Sequence, residues 1–307
     1  MKIVIAGGTG FVGKVIRQKL LSAGHEVIVL TRKVGMAATE KEQFVAWDTR
    51  TAGPWAACLD GADAVINLAG ENIAAGRWTT ARKRKILSSR VDATRAIVNA
   101  VLGARKKPSV LVNASAVGFY GDIPDAALMD ESVRGSGFLA ETCERWEAEA
   151  RKAEGSGTRV VLARLGPVLG GKGGMLSGMI PLFLFFMGAP LGTGRQWIPW
   201  IHLEDVAGIF LFLIERGDFS GPVNVTSPEP ATMKTFCSAL AKVLRRPCWF
   251  PVPGVLLKRV LGEMSAVILS SQKAFPAKLI RAGYSFRYPD LSRALGAILE
   301  KSAGISR

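Results

Sequence analysis

A mostly parallel, doubly wound α/β sheet carrying a small, mainly helical C-terminal lobe is the architecture this chain predicts. Three observations predict it. Apolar runs of strand length alternate with stretches of helical periodicity from Lys2 to Leu165. A glycine loop joins the first run to the first helix. From Pro247 onward the chain breaks into short helical pieces at Pro251, Pro253, Pro276 and Pro289. Strands that alternate with helices pair in parallel and carry helices on both faces.

The first strand, Lys2 to Ala6, runs into Gly7-Gly8-Thr9-Gly10-Phe11-Val12-Gly13. A strand that turns sharply into a helix, beneath a phosphate and close against the sheet, leaves no room for a Cβ at Gly7, Gly10 or Gly13. The free amides of the helix start then face an anion. Gly7, Thr9, Gly10, Phe11, Val12 and Gly13 are therefore expected to hold the pyrophosphate of a dinucleotide. The helix runs from Phe11 to Ala23 and stops at Gly24. The second strand, Glu26 to Leu30, ends in Thr31-Arg32-Lys33, where an acidic residue would hold a ribose 2′-hydroxyl. Thr31 and Arg32 instead suit a 2′-phosphate, which predicts NADP(H).

The third strand, Phe44 to Trp47, delivers Asp48, a carboxylate expected to accept from the adenine amino group. The fourth, Ala64 to Leu68, ends in Ala69 and Gly70, so that Leu68, Ala69 and Gly70 let the cofactor lie over the strand tip. A basic segment follows. Its helix resumes periodicity at Ile86, Val91, Ile97, Val98 and Val101, with Arg90, and more weakly Lys85, placed to reach back to the dinucleotide. The fifth strand, Val110 to Ala114, brings Ser115 through Tyr120 to the carboxyl edge, where doubly wound sheets bind ligands. A helix from about Phe138 to Ala153 and a sixth strand, Arg159 to Arg164, complete the core. Glycine turns at 170–174 and 192–194 and the Trp197 to Asp205 stretch predict a substrate-side lobe. The expected division is a dinucleotide-binding domain over residues 1–246 and a small C-terminal domain over 247–307.

A net charge of +15 over 307 residues raises the question of nucleic acid. Ten Lys/Arg lie between Arg77 and Lys107 against one carboxylate, Asp92. No recognition module or aromatic interleaving accompanies them, so the run reads as a solvated helix face with some cations turned to an anionic cofactor. The apolar run Met179 to Leu191 is interrupted by Pro181, Gly188 and Pro190, and is short of the ~20 residues of a spanning helix. Cys58, Cys143, Cys237 and Cys248 show no metal or redox spacing. The expected partner is a small molecule, with no nucleic acid, membrane or metal, in a cytoplasmic setting. The opening strand, without a charged segment or cleavage site, predicts no leader.

In these residues the chain resembles an extended or atypical short-chain dehydrogenase/reductase of the Rossmann type. More narrowly, it is similar to the sugar-nucleotide epimerase-like family that ends in a small domain of unknown function. The resemblance rests on Gly70-Glu71-Asn72-Ile73, Arg77-Trp78-Thr79, Ser89-Arg90, Gly192 to Trp197, Trp200 to Val206, and the tail Leu261-Gly262-Glu263-Met264 through Tyr284. It implies an NADP-type cofactor and a nucleotide sugar or carbonyl substrate. The superfamily's catalytic Tyr falls at Phe138 and its Lys at Thr142, the usual serine position is Ala116, and Ile198 stands where epimerases place a diphosphate-gripping Arg, with Arg195 nearby. The expected chemistry therefore moves to Tyr120 with Ser115, with His202 or Asp205 as proton relays. Two functions are expected: an NADP-dependent oxidoreductase or epimerase-like enzyme lacking the usual Tyr-x-x-x-Lys pair, or a non-catalytic NADP(H) sensor or scaffold.

Overall fold

The computed structural model describes residues 1–302 apart from Val34, Ala52 and Lys172. Its main sheet contains, among the described residues, seven strands: β1 (Lys2–Ala6), β2 (Glu26–Thr31), β3 (Glu42–Ala46), β4 (Ala64–Asn67), β5 (Val110–Ala116), β6 (Arg159–Leu165) and β7 (Gly221–Val225). Four helices cover it: α1 (Phe11–Ser22), α2 (Thr80–Gly103), α3 (Phe138–Arg151) and α4 (Leu203–Glu215). The strand order is β3-β2-β1-β4-β5-β6-β7, and every pairing is parallel. The order reverses between β1 and β4, and that switch point sits beside the glycine loop.

Alternation within each strand feeds two cores. Ile3 and Ile5 of β1 pack with Ile16 of α1 and Phe210 of α4. Val4 and Ala6 of the same strand pack with Ile97 and Val101 of α2. A strand buried on both faces has no polar alternation, which is why these runs read as continuously apolar. The sequence reading ends at six strands, and β7 is a seventh. Gly221, Pro222 and Asn224 interrupt its apolar pattern. The strand is nevertheless fixed, because Asp130 Oδ1 accepts from the Asn224 amide at 2.6 Å while Oδ2 accepts from that of Lys278 at 2.9 Å.

The lobe packs its helix Leu176–Leu184 and helix Met233–Leu244 against the final helix, Leu291–Ser302, around Phe183, Trp200, Phe236 and Leu295. The residues after 247 thus share a core with residues before it. Asp205, expected as a proton relay, holds the tail instead: its oxygens accept from the amides of Arg287 and Tyr288 at 2.7 and 3.0 Å. His202 caps α4, its Nδ1 accepting from the Glu204 amide at 3.1 Å, and its ring lies 3.9 Å from that of Tyr288. A parallel pairing of Ile123–Leu128 with Gln272–Ala274 brings the lobe over the carboxyl end of β5. Among the described residues no helix is long and apolar enough to cross a membrane.

Candidate cofactor and substrate site

Gly10 caps α1 with no side chain accepting from its first amides, so those donors stay open at the positive end of the helix. Gly7 has φ +78°, and a Cβ there would lie 2.9 Å from the Leu68 carbonyl carbon and oxygen. A Cβ on Gly13 would come within 2.2 Å of the Gly7 oxygen and 2.7 Å of the Gly8 Cα. Thr9 and Val12 are half-buried beside them. The Phe11 ring fills a seat shaped by the distant glycine turn: Cβ atoms at Gly170, Gly173 and Gly174 would meet it at 2.8, 2.6 and 3.1 Å. That contact joins the glycine loop to the lobe, and no local pattern announces it.

The ends of β2 and β4 and the start of α2 gather charge. Thr31 is buried and its hydroxyl accepts from the Lys33 amide at 3.1 Å, which leaves Arg32 exposed at the strand tip. Glu71, next to Gly70, pairs with Arg82 at 3.0 Å and Lys85 at 3.7 Å. The hydrogen bond from Arg82 holds its carboxyl below the usual range, with the charges of Lys85 and Arg32 acting in the same direction. Arg90 lies across Gly70, where a Cβ would meet its Cζ at 3.2 Å, and is 5.2 Å from the Trp146 ring. Burial lowers its pKa, and among the described residues no carboxylate is ion-paired with it. Asp48 turns back on its own loop, accepting from the amides of Arg50 and Thr51 at 2.9 Å each and from the Thr51 hydroxyl at 2.5 Å. Those bonds, led by the hydroxyl, hold it at a pKa of about 2. Ala69 is fixed by its amide donating to Asn67 Oδ1 at 3.1 Å.

Ser115 and Tyr120 are brought together, but in the interior. The turn Val117–Tyr120 rolls the tyrosine ring under the sheet end, where the residue has no exposed surface. Its hydroxyl lies 2.7 Å from Asn224 Oδ1 and 2.9 Å from the Met129 carbonyl oxygen, and accepts from Arg164 at 3.0 Å. The Ser115 hydroxyl donates to Glu147 at 2.6 Å, and Glu147 receives Arg164 through two bonds of 2.8 Å. The sequence expectation put both hydroxyls at the reacting edge; burial turns them inward to satisfy an ion pair. Burial also pushes the Tyr120 hydroxyl up to a pKa of about 12 from 10.0. Above pH 10 the unfolded chain releases this proton first, so stability present below pH 10 falls as pH rises toward 12. Urea melts at pH 9 and 11 will show that loss in the parent, and a smaller one in Tyr120→Phe; equal losses would remove Tyr120 as the cause.

A cleft of about 600 Å³ opens between the β5 end and the lobe, bordered by Gly118, Gly121, Leu139, Leu269 and the edge-to-face rings of Trp78 and Phe138. Neither Ser115 nor Tyr120 borders it. Phe138 occupies the place where the resemblance implies Tyr, its ring 5.1 Å from that of Trp78. At the implied Lys position the Thr142 hydroxyl donates to the Phe138 carbonyl at 2.7 Å. The titratable groups at the rim are Asp122, Lys258 and Glu263; Lys83 lies 2.7 Å from Glu263 and 5.7 Å from the Phe138 ring. Arg195 is exposed and does not line the cleft. Sequence reasoning gave no role to Glu71, Arg82, Trp78 or Lys83; the i, i+3 spacing of Arg82 and Lys85 was the available signal for one cationic face.

The sequence profile of the NAD dependent epimerase/dehydratase family matches residues 3–226. That of a domain of unknown function, DUF1731, matches residues 252–298. The chain is 40% identical over 300 residues to the epimerase family protein YfhF of Bacillus subtilis, covering 97% of this chain and 98% of that one. The crystal structure of human epimerase family protein SDR39U1 (isoform 2) with NADPH superposes with a TM-score of 0.90 at 34% identity, over 98% and 99% of the two chains. MoeE5, solved with UDP-glucuronic acid and NAD, shares the fold at a TM-score of 0.79 and 20% identity, over 99% of each chain. Profile, relatives and fold agree, and the chain belongs to the NAD dependent epimerase/dehydratase family.

Proposed function

We propose that the chain binds NADP(H) across the switch point and acts as an atypical short-chain oxidoreductase whose proton chemistry does not rest on a Tyr-x-x-x-Lys pair. The observation that carries this reading is the pairing of Arg82 and Lys85 with the single carboxylate of Glu71, whose carboxyl also feels the charge of Arg32, beside the uncapped start of α1. Cations in the first turns of α2 oppose its dipole, an arrangement that a bound polyanion relieves. The human relative solved with NADPH supports the choice of cofactor.

In this reading the loop residues Gly7, Thr9, Gly10, Phe11, Val12 and Gly13 hold the pyrophosphate, while Leu68, Ala69 and Gly70 form the bed beneath it. Thr31 and Arg32 meet the 2′-phosphate, Asp48 faces the adenine, and Lys85 and Arg90 add charge from α2. The cofactor supplies a hydride when bound. The chain's own part is to seat a carbonyl or nucleotide-sugar substrate on Trp78 and Phe138, with Lys83 and Glu263 at hand for the proton. Ser115 and Tyr120 hold the β5 end in place. Residues 1–246 form the cofactor-binding unit, the small domain that begins at 247 walls the cleft with residues between Lys258 and Gln272, and the protein works in the cytoplasm.

Arg32→Ala will weaken NADPH about tenfold, roughly 1.4 kcal/mol, and change NADH by less than threefold, in fluorescence titrations. Equal losses for both cofactors would move Arg32 off the 2′-phosphate. No NADPH binding by the parent would remove the reading altogether. A non-catalytic NADP(H) sensor is the second reading, favoured by Phe138 and Thr142 at the catalytic positions. NADPH oxidation with any member of a carbonyl and nucleotide-sugar panel decides for the enzyme; a shape change tracking the NADP⁺/NADPH ratio with no hydride consumed decides for the sensor.

A further inference from the structure

On the lobe, two segments expose large apolar side chains in a way that no part of the cofactor site explains. Phe185 is 73% exposed and Phe250 90%, and Phe186, Met187 and Trp249 are each more than half exposed. They form one surface. The Trp249 indole donates to the Phe186 carbonyl at 2.6 Å and its amide to that of Gly188 at 2.9 Å. Backbone bonds of 2.8 and 2.9 Å tie Val252 to Pro190 and Gly192, which leads the surface into the helix Gly254–Leu261. That helix buries none of its residues, and Val255 and Val260 point outward.

The charge around this surface has one sign. Residues 176–194 carry no charged side chain, and residues 242–262 carry five Lys/Arg and no Asp/Glu. Arg246 stacks 4.8 Å from the Phe186 ring, Arg245 is exposed beside it, and Lys258 and Arg259 are exposed on the short helix. A second copy set face to face would bring these cations together, and the carboxylate that follows the short helix, Glu263, is already taken up by Lys83 at 2.7 Å. An anionic bilayer complements both features: aromatic and aliphatic side chains enter the interface, and the surrounding Lys/Arg meet the headgroup charge. The +15 net charge of the chain supports the same encounter at longer range.

We propose that the Phe185–Met187 and Trp249–Phe250 surface, with its rim of Arg245, Arg246, Lys258 and Arg259, rests the protein on an anionic lipid membrane. This is surface attachment without a spanning segment, and it revises the expectation that no membrane is a partner. It holds whether or not the dinucleotide site turns substrate over.

Flotation of the full chain with phosphatidylcholine vesicles, with and without about one-third phosphatidylglycerol, tests it. The parent is expected to float with the anionic vesicles at least tenfold more than with the neutral ones. Phe185→Ser/Phe250→Ser and, separately, Arg245→Glu/Arg259→Glu should each lower that binding at least tenfold, with far-UV circular dichroism and the melting temperature unchanged. All four positions are exposed, and the charge variant leaves the apolar side chains intact, so a misfolded apolar variant does not spoil the test. Failure of the parent to float would overturn the proposal, as would equal binding to both vesicles or unchanged binding by both variants. A parent that is dimeric by light scattering and becomes monomeric in the apolar variant would overturn it in favour of a second copy as the occupant.

Discussion

Glu147→Ala is expected to cost about 3–5 kcal/mol of unfolding free energy, a drop of roughly 10 °C in melting temperature for a chain of this size. Arg164 and Glu147 are 3% and 5% exposed, and the guanidinium is stacked 3.5 Å from the Phe119 ring centroid with further bonds to Tyr120 and the Asp130 carbonyl. Removing the carboxylate strands a cation that has no route to water, and unpairs Ser115 in the same step. Desolvation of the orphan is the larger part of the loss, because the pair itself gives up hydration to form. The double variant Glu147→Leu/Arg164→Met should therefore recover more than half of it. Differential scanning calorimetry on the three proteins decides. A single-variant drop under about 3 °C, or a double variant no better than Glu147→Ala, would show that the pair is not what holds β5, β6 and α3 together.

Gly13→Ala should abolish NADPH binding, with affinity reduced about a hundredfold or more, and lower stability as well. The added methyl meets the Gly7 oxygen at 2.2 Å and the Gly8 Cα at 2.7 Å, and backbone on both sides cannot turn aside as a side chain can. Either α1 moves off the sheet or the loop opens, and both displace the amides that the pyrophosphate requires. Gly24→Ala is the control. It has φ +86° with nothing within 4 Å of the new Cβ, so it strains the backbone without crowding the site; it should cost about 1 kcal/mol of stability and leave NADPH affinity alone. If isothermal titration finds Gly13→Ala binding within threefold of the parent, the loop is a turn and not a phosphate cradle.

Much of the frame was legible because the signals are local. The glycine loop, the two-sided apolar strands and the helix cap at Gly24 each follow from neighbours in sequence. β7 escaped because its stability comes from Asp130, a carboxylate far along the chain, rather than from its own pattern. The residues expected to meet the cofactor rest on signals of the same local kind: Arg32 follows the end of β2, and Gly70 lies shortly after the end of β4. Ser115 and Tyr120 were read as edge groups because the strand before them stops at the right place, yet side-chain direction depends on the turn after it and on Arg164, a residue of another strand. Glu71 and Arg82 lie eleven residues apart, on a loop and a helix, and their pairing appears only once α2 starts at Thr80 rather than further along.

The seat of Phe11 ties the ligands' fates together. The ring belongs to the first turn of α1, yet the walls that grip it belong to the turn at Gly170, Gly173 and Gly174, with contacts too close to admit one more carbon. On the proposed function, a loop stiffened by phosphate would stiffen the lobe turn, and a lobe that shifts over its substrate would drag the loop amides. Reciprocity requires that whatever one ligand gains from the other is returned in equal measure, so the coupling between the two ends of this molecule is a single free energy written in two places.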